Sequence, residues 1–363
     1  MKIGILTFNC AYNYGAFLQC YALQEYIKSL GYYVKIINYR PNYLCEKKPK
    51  ITINTIISKS PYSLYKKLQV FCRKRLYYKK FSEFEKKYFD LTDPVSNADS
   101  LIAVINDFDC IIIGSDQVWN KNIIGNDRVW FGDFKIDKKI QLIAYAISAG
   151  TPSFSFDDIQ FLKKQLPVFK NIMVREYVLK EYLSKISKKT ISCVLDPSLM
   201  VPSEFWNKLY RKIKIPYEYI IVHQARKSEE TLNIARNIAM QLKSVILSTD
   251  MYNNSFNKFS KHKIVSPDEF ITLVKSAKCI ITSSFHVTAF SIINRIPFYT
   301  VRLNDNADER SENLLQALGL MDRLIDKNDI PIFSFIDYNA VEIKLNELRL
   351  DSQKKLRIAI SSL

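Results

Sequence analysis

Short apolar, β-branched runs alternate with helical patterns along most of the chain, and this alternation constrains the fold more than any other feature. The first run, at 2–8, is followed by a helical stripe that stops at Gly31 and by a second run at 33–39, which Pro41 ends. A strand, a helix and a strand in that order form a βαβ unit with parallel strands. The sequence therefore predicts an α/β protein built on parallel sheets.

A polar, basic stretch at 208–216 separates two groups of such runs, and 363 residues is long for a single core. We predict an N-terminal Rossmann-like domain at 1–212 and a C-terminal Rossmann-like domain at 213–337. A helix at 338–363 is expected to pack back on the first domain. Two such domains facing a cleft form the GT-B arrangement of many glycan-handling transferases.

Composition narrows the class of protein further. Hydrophobic residues make up 48% of the chain and charged residues 25%, which is typical of a folded soluble protein. The eight glycines form no dinucleotide-binding or P-loop spacing. The seven cysteines include no C-x-x-C pair, so we expect reduced thiols and a cytoplasmic protein. No apolar stretch approaches the roughly 20 residues that a membrane span needs.

The positive charge is concentrated in one block of the sequence. The chain has a net charge of +17, and residues 47–87 contain thirteen Lys or Arg but only two acidic residues. Within the block, 62–88 is predicted to be a helix in which four basic residues recur every seven positions: Lys66, Arg73, Lys80 and Lys87. The simplest interpretation is a solvated basic face above a packed apolar face. The alternative is a peripheral contact with an anionic membrane surface; nucleic acid is not expected, because no nucleic-acid motif accompanies the basic residues.

A histidine lies at the turn between a predicted strand, 279–282, and a predicted helix that Pro297 follows. His286 is one of three histidines, and hydroxyl side chains surround it in the sequence: Thr282, Ser283, Ser284 and Thr288. Ligands bind at the carboxyl edge of parallel sheets, and helix N-termini favour anions. We therefore expect an anion site at His286, although a helix-capping histidine without chemistry is the alternative.

Other predicted strands also end in polar residues. The turn at 114–120 contains Asp116, Gln117, Trp119 and Asn120, while Asn13 and Tyr14 follow the first strand. Arg175 ends another strand, where it serves either as an anion clamp or as a surface ion pair with Glu176. Metal binding and a cofactor are not expected, since the histidines are far apart in sequence and no acid-rich cluster stands near them.

These segments resemble the polysaccharide pyruvyl transferase family. The matching segments occur in the family's order from about residue 4 to 320: Asn13-Tyr14-Gly15 with Gln19, 113–120, Tyr145-Ala146 with Ser148, 174–176, Asp196-Pro197, Ser266-Pro267 and 284–291 with Pro297-Phe298. The segments Gly-Ser-Asp-Gln-Val-Trp-Asn and Ser-Phe-His are the most specific. This chain has Ser284 where some relatives have arginine, and Val287 where many have glycine.

The resemblance implies transfer of the pyruvyl group of phosphoenolpyruvate onto two hydroxyls of a sugar, which gives a cyclic ketal and releases phosphate. The sugar would belong to a bacterial-type surface polysaccharide or its lipid-linked precursor, reached at the inner face of the membrane. By this resemblance the domain at 1–212 would lie on the acceptor side and the domain at 213–337 on the donor side. The family's donor contacts correspond to Arg175 and His286. The cation that Ser284 does not provide is expected from Arg302 or Arg310.

We therefore predict His286 and Asp116 as catalytic residues: His286 as proton donor or phosphate stabiliser, Asp116 as base for a sugar hydroxyl. Donor binding is assigned to Arg175, Ser284, Phe285, His286 and Arg310. Acceptor binding is assigned to Asn13, Tyr14, Gln117, Trp119 and Asn120, with Trp119 as a stacking surface. Two alternatives stay open: a GT-B glycosyltransferase that uses a nucleotide sugar, and a non-catalytic basic protein that binds membrane or nucleic acid.

Overall fold

The computed structural model describes residues 1–45, 48–50, 60–134, 140–249, 260–303 and 308–362, which form two six-stranded sheets. The first sheet lies within residues 2–193, and all its strands are parallel, in the order β2-β1-β3-β4-β5-β6. Its strands are β1 (Lys2–Leu6), β2 (Tyr33–Ile36), β3 (Cys110–Ile113), β4 (Gln141–Ile147), β5 (Phe169–Val174) and β6 (Ile191–Cys193).

The second sheet lies within residues 219–325 and is also parallel throughout, in the order β12-β11-β10-β7-β8-β9. Its strands are β7 (Tyr219–His223), β8 (Val245–Ser248), β9 (Ser260–His262), β10 (Ile280–Thr282), β11 (Phe298–Val301) and β12 (Leu324–Ile325). Helices cover both sheets, because strands buried on both faces need apolar partners on each side. The prediction of two Rossmann-like domains facing a cleft is confirmed.

Helices follow most of the strands. In chain order they are α1 (Tyr14–Ser29), α2 (Pro61–Tyr88), α3 (Ala98–Ile105), α4 (Lys121–Ile124), α5 (Phe156–Gln165), α6 (Tyr177–Ile186), α7 (Pro197–Met200), α8 (Glu229–Gln241), α9 (Pro267–Lys275), α10 (Phe285–Ile293), α11 (Asp308–Leu318) and α12 (Tyr338–Ser361). Asn13 caps α1 by accepting a hydrogen bond from Gly15 N at 2.8 Å. The helix ends at Ser29, before Gly31 with a φ of +88°.

The chain crosses between the two halves of the protein twice, at 210–218 and at 326–337. The second crossing brings α12 back onto the first half of the protein. There, Ser352 Oγ accepts a hydrogen bond from Leu195 N at 2.9 Å, and Gln353 Nε2 donates one to Met200 O at 2.9 Å. A continuous apolar cluster also joins the two halves, with Tyr14 stacked on Phe270 at 4.3 Å between ring centroids. The halves are therefore held together by packing as well as by the two crossings.

The basic helix α2 differs from its predicted packing. Its buried residues are Phe81, Phe84 and Glu85, all in its C-terminal part, and Leu68 is 40% exposed. The prediction of a packed apolar face is therefore wrong for the N-terminal part of the helix, which extends beyond the surface of the core. Lys80 is also not on an open basic face, since it pairs with Glu269 across the domain interface. Residues 47 and 51–59 of the basic block lie outside the described residues.

Cys10 and Cys45 form a disulfide, so the prediction that all cysteines are reduced is wrong for this pair. The two residues lie in the segments that follow β1 and β2, which are neighbouring parallel strands. Parallel pairing brings these two segments to the same edge of the sheet, although the cysteines are 35 residues apart in sequence. Within the described part of the chain, no helix has both the length and the apolar character that crossing a bilayer requires.

Candidate active site

One cleft of about 710 Å³ lies where the strand order reverses in both sheets. In the first sheet the reversal falls between β1 and β3, and in the second between β7 and β10. Open parallel sheets bind ligands at such positions. The loops that follow all four strands contribute residues to the cleft: Phe8, Ala11 and Asn13; Asp116, Gln117 and Asn120; Ala225 and Arg226; Ser283, Ser284, Phe285 and His286.

The turn after β3 fixes a carboxylate at the base of this cleft. Gly114 has a φ of +111°, and a Cβ at this position would lie 2.2 Å from Tyr145 O, so the turn requires glycine. Asp116 also has a positive φ, of 80°. Its carboxylate Oδ1 accepts a hydrogen bond from Gln117 N at 2.8 Å, and its carbonyl accepts one from Ser148 N at 2.9 Å. Hydrogen bonds to its side chain and to its carbonyl oxygen therefore hold the aspartate in an uncommon backbone conformation.

His286 reaches the same point from the second domain. It lies in the first turn of α10, is 7% exposed, and its Nε2 is 3.8 Å from Asp116 Oδ1. The ring packs directly against Gly15 at the start of α1, where a Cβ would lie 2.1 Å from His286 Cδ2. The histidine thus has its position set by a glycine of the opposite domain.

Arg175, at the end of β5, joins Asp116 to other buried groups. Its guanidinium Nη2 donates to Ser115 Oγ at 3.0 Å and lies 3.2 Å from Asp196 Oδ2 and 3.8 Å from Asp116 Oδ1. The guanidinium also lies 5.0 Å from the centre of the Phe285 ring. The alternative of a surface ion pair is wrong, because the Arg175 side chain is only 4% exposed.

Arg310, on α11, is the second guanidinium at the cleft. It lies 5.8 Å from the centre of the Phe285 ring and lines the cleft beside Gln117. Arg302, the other candidate, instead pairs with Glu312 at 3.0 Å and with Asp326 at 3.9 Å. Of the two, Arg310 is therefore the one that lines the cleft together with Ser284.

Several buried nitrogens around Asp116 have no hydrogen-bond partner among the described residues. They are Arg175 Nε and Nη1, Arg310 Nε, and both ring nitrogens of His286. Buried polar groups are normally hydrogen-bonded, so a cluster of such nitrogens marks a place where an external acceptor fits. Because two of the three side chains are guanidiniums, the site suits an anion with several oxygens.

Burial and the neighbouring charges together shift two carboxyl pKa values in opposite directions. Burial raises the pKa of Asp116, but His286, Arg175 and Arg310 outweigh burial and hold it well below its usual value. Burial raises the pKa of Glu176 to about 7, although Arg175 and Arg310 act in the opposite direction. Asp116 is therefore ionised throughout the neutral range, whereas Glu176 changes protonation near neutral pH.

The predicted acceptor residues divide into two groups. Asn13, Gln117 and Asn120 line the cleft. Trp119 does not reach it: the side chain is fully buried, stacks on Phe131 at 5.2 Å and donates from Nε1 to Trp130 O at 2.9 Å. Tyr14 is also buried, and its hydroxyl donates to Val265 O at 3.1 Å. The assignments of Trp119 as a stacking surface and of Tyr14 as an acceptor contact are wrong, because neither side chain is accessible.

Three residues of the site were missed as functional groups. Asp196 forms an ion pair with Arg175. Glu176, the next residue after Arg175, is buried, and Arg226 follows β7 and lines the cleft. All three follow strand ends, which is the signal that identified the others. Among the described residues, no group of three or more histidine, cysteine, aspartate or glutamate side chains is arranged to hold a metal ion.

A family model described as polysaccharide pyruvyl transferase matches residues 13–305, most of the chain. The match includes the turn of Asp116, the strand end of Arg175 and the start of α10 with His286. The chain belongs to the polysaccharide pyruvyl transferase family, and it is a transferase.

Comparison with solved structures finds similar folds at low sequence identity. A UDP-GlcNAc 2-epimerase from Methanocaldococcus jannaschii has a TM-score of 0.48 and 15% identity, with 99% of this chain and 100% of that chain covered. A UDP-N-acetylglucosamine 2-epimerase from Rickettsia bellii has a TM-score of 0.49 and 14% identity, covering 100% and 99%. A Streptomyces glycosyltransferase has a TM-score of 0.43 and 10% identity, covering 100% and 96%. A search of curated proteins gives no significant match.

Proposed function

We propose that this transferase moves the pyruvyl group of phosphoenolpyruvate onto two hydroxyls of a sugar and forms a cyclic ketal. One observation supports the donor above all others. Two guanidiniums and an imidazole, contributed by both domains, lie around Asp116 with buried nitrogens that lack protein partners among the described residues. Phosphoenolpyruvate carries a carboxylate and a phosphate, and planar guanidinium groups bind both kinds of anion with paired hydrogen bonds.

The reaction balances without an oxidant or reductant. A proton is added to the methylene carbon of the enol, which becomes the methyl group, and the first sugar hydroxyl adds to the central carbon. The bond from that carbon to the phosphate oxygen then breaks, and the second hydroxyl forms the other ketal bond. Of the two hydroxyl protons, one replaces the proton given to the methyl carbon and the other leaves with phosphate. The enzyme must therefore bind two anionic groups and transfer protons.

The site offers a residue for each of these tasks. Arg175 is fixed by Ser115 and Asp196, so it provides a rigid clamp for one anionic group of the donor. Arg310 provides the second positive charge. His286 is the group for proton transfer, because its ring nitrogens have no other partners among the described residues and it borders the cleft.

Asp116 takes a different role from the one predicted. A carboxylate whose pKa is held well below its usual value is a weak base at neutral pH. We assign Asp116 to orienting His286, 3.8 Å away, and to accepting a hydrogen bond from a sugar hydroxyl. The proton of that hydroxyl would then pass to His286 after the ring has given its own proton to the donor.

The acceptor would occupy the rest of the cleft, which is wide enough for a saccharide of more than one unit. Asn13, Gln117 and Asn120 offer amides there, a common means of binding sugar hydroxyls. A lipid-linked acceptor is supported by the N-terminal part of α2. That part exposes Tyr62, Tyr65 and Leu68 among basic side chains, a combination that favours an anionic membrane surface.

The test is incubation of the purified protein with phosphoenolpyruvate and candidate saccharides, both free and lipid-linked, with measurement of phosphate release and of the ketal by NMR. We expect phosphate to appear only when donor and acceptor are both present. Binding and turnover of a nucleotide sugar without any reaction of phosphoenolpyruvate would favour the glycosyltransferase alternative instead.

Arginine variants connect the activity to the site. Arg310→Ala removes hydrogen bonds to an anion, each of which contributes about 1.5–3 kcal/mol, so kcat/KM for phosphoenolpyruvate should fall roughly tenfold to a hundredfold. Arg302→Ala is the matched control, because Arg302 pairs with Glu312 and does not line the cleft. Equal effects of the two substitutions would contradict the assignment of Arg310.

A further inference from the structure

A second cavity, of about 410 Å³, lies behind the anion site. It is enclosed by the segment from β6 to α7, by α11 and by α12. Its walls are mostly apolar and include Val194, Leu199, Leu314 and Leu348. The second cavity is thus separate from the cleft that the strand-end loops form, and it lies on the side where α12 returns to the first domain.

Two side chains form the partition between the second cavity and the cleft. Phe285 and Arg310 line both spaces, and Arg175 lines the second cavity. The guanidiniums of Arg175 and Arg310 are 5.0 and 5.8 Å from the centre of the Phe285 ring. An anion held by these arginines therefore lies at the boundary between two spaces, the cleft being the larger and more polar and the second cavity the smaller and more apolar.

The negative side chains of the second cavity are already compensated. Asp196 pairs with Arg175 at 3.2 Å and accepts a hydrogen bond from Ser198 N at 2.9 Å. Asp351 pairs with Lys355 at 2.6 Å. Arg175 and Asp196 therefore compensate each other, as do Lys355 and Asp351, which leaves Arg310 as the cation of the lining that neither of these acids compensates.

We propose that the second cavity is a separate passage for the small phosphate-bearing species of the reaction, with phosphoenolpyruvate entering or inorganic phosphate leaving through it. This inference rests on the proposed function. A saccharide bound in the cleft would block access from the cleft to the anion site, so a small anion needs another path. Arg310 lines both spaces, so it can bind the anion from either one.

The passage is tested by narrowing it at a position outside the catalytic groups. Ala317 lies on α11, is exposed and lines the second cavity, so replacement by leucine and then by tryptophan adds bulk without disturbing the core. The matched control is Ala340→Trp, since Ala340 is an exposed residue of α12 that does not line the cavity. All variants are compared with the intact wild-type chain by steady-state and pre-steady-state phosphate release.

We expect Ala317→Trp to lower either kcat/KM for phosphoenolpyruvate or kcat at least tenfold, Ala317→Leu to have a smaller effect, and Ala340→Trp to behave as wild type. If the passage admits the donor, kcat/KM for phosphoenolpyruvate falls while that for the acceptor is kept. If it releases phosphate, kcat falls and a burst of enzyme-bound phosphate precedes the steady state. Wild-type kinetics in Ala317→Trp would overturn the passage alone. Absence of phosphate release from phosphoenolpyruvate in the wild type would overturn the proposed function, and the passage with it.

Discussion

Gly15→Ala tests whether contact between the two domains positions His286. Alanine is the better helix former by roughly 0.5–1 kcal/mol, so in an isolated helix the substitution would be stabilising. In this protein the new Cβ would lie 2.1, 2.2 and 2.6 Å from Cδ2, Cγ and Cβ of His286. Real Cβ atoms do not approach other atoms so closely, and Cγ and Cβ cannot move away by rotation of the ring alone. Either α10 must shift or the domains must separate.

The expected magnitudes follow from that clash. Overpacking of this kind costs about 1–3 kcal/mol of unfolding free energy. A displacement of about 1 Å at a reacting group lowers turnover on the order of a hundredfold. We therefore expect Gly15→Ala to be folded, with a lower free energy of unfolding, and to have a much reduced kcat. Urea unfolding monitored by fluorescence and phosphate-release kinetics measure the two effects separately.

A double-mutant cycle with His286→Ala identifies the contact. This substitution removes Cδ2 and Cγ but keeps Cβ, so most of the clash disappears. The stability lost through Gly15→Ala should fall by more than half in the His286→Ala background, which is a coupling energy of about 1 kcal/mol or more. Wild-type turnover in Gly15→Ala, or an equal loss of stability in both backgrounds, would refute the reasoning.

Two further predictions concern pH and the membrane. Because the pKa of Glu176 is raised to about 7 from 4.5, the folded state binds more protons than the unfolded state between these values, and wild-type stability should fall as pH rises through them. Glu176→Gln should remove up to about 3 kcal/mol of this dependence, measured as unfolding free energy at pH 5 and pH 8; an unchanged pH profile would contradict the raised pKa. On α2, Lys74→Glu with Arg75→Glu should weaken binding to phosphatidylserine vesicles by at least about 2 kcal/mol, roughly thirtyfold, in sedimentation assays. The same change at Lys163 and Lys164, which are exposed on α5, should have little effect, and equal losses in both pairs would indicate non-specific attraction.

The positions of the main site residues could be predicted because parallel sheets gather strand ends. Asp116, Arg175 and His286 follow three different strands, and the carboxyl ends of parallel strands share an edge. When two such edges face each other across a cleft, residues that are distant in sequence come within 4 Å of each other.

The directions of individual side chains could not be predicted in the same way. In the turn after β3, Asp116 and Gln117 face the cleft while Trp119 points into the core, because the turn has no regular period from which orientation could be deduced. The Cys10–Cys45 disulfide was missed for a related reason. It depends on β1 and β2 being neighbours, which is a property of the sheet and not of cysteine spacing.

The double crossing of the chain has a mechanical consequence. With connections at 210–218 and 326–337, the two halves are joined at two points, and a body joined at two points turns most easily about the line through them. A rotation of one half about that line would move His286 and Arg310 together away from Asp116 and Arg175. The approach of His286 to Asp116 therefore depends on how the two halves are placed, and an anion that binds Arg175 of one half and Arg310 of the other would oppose their separation.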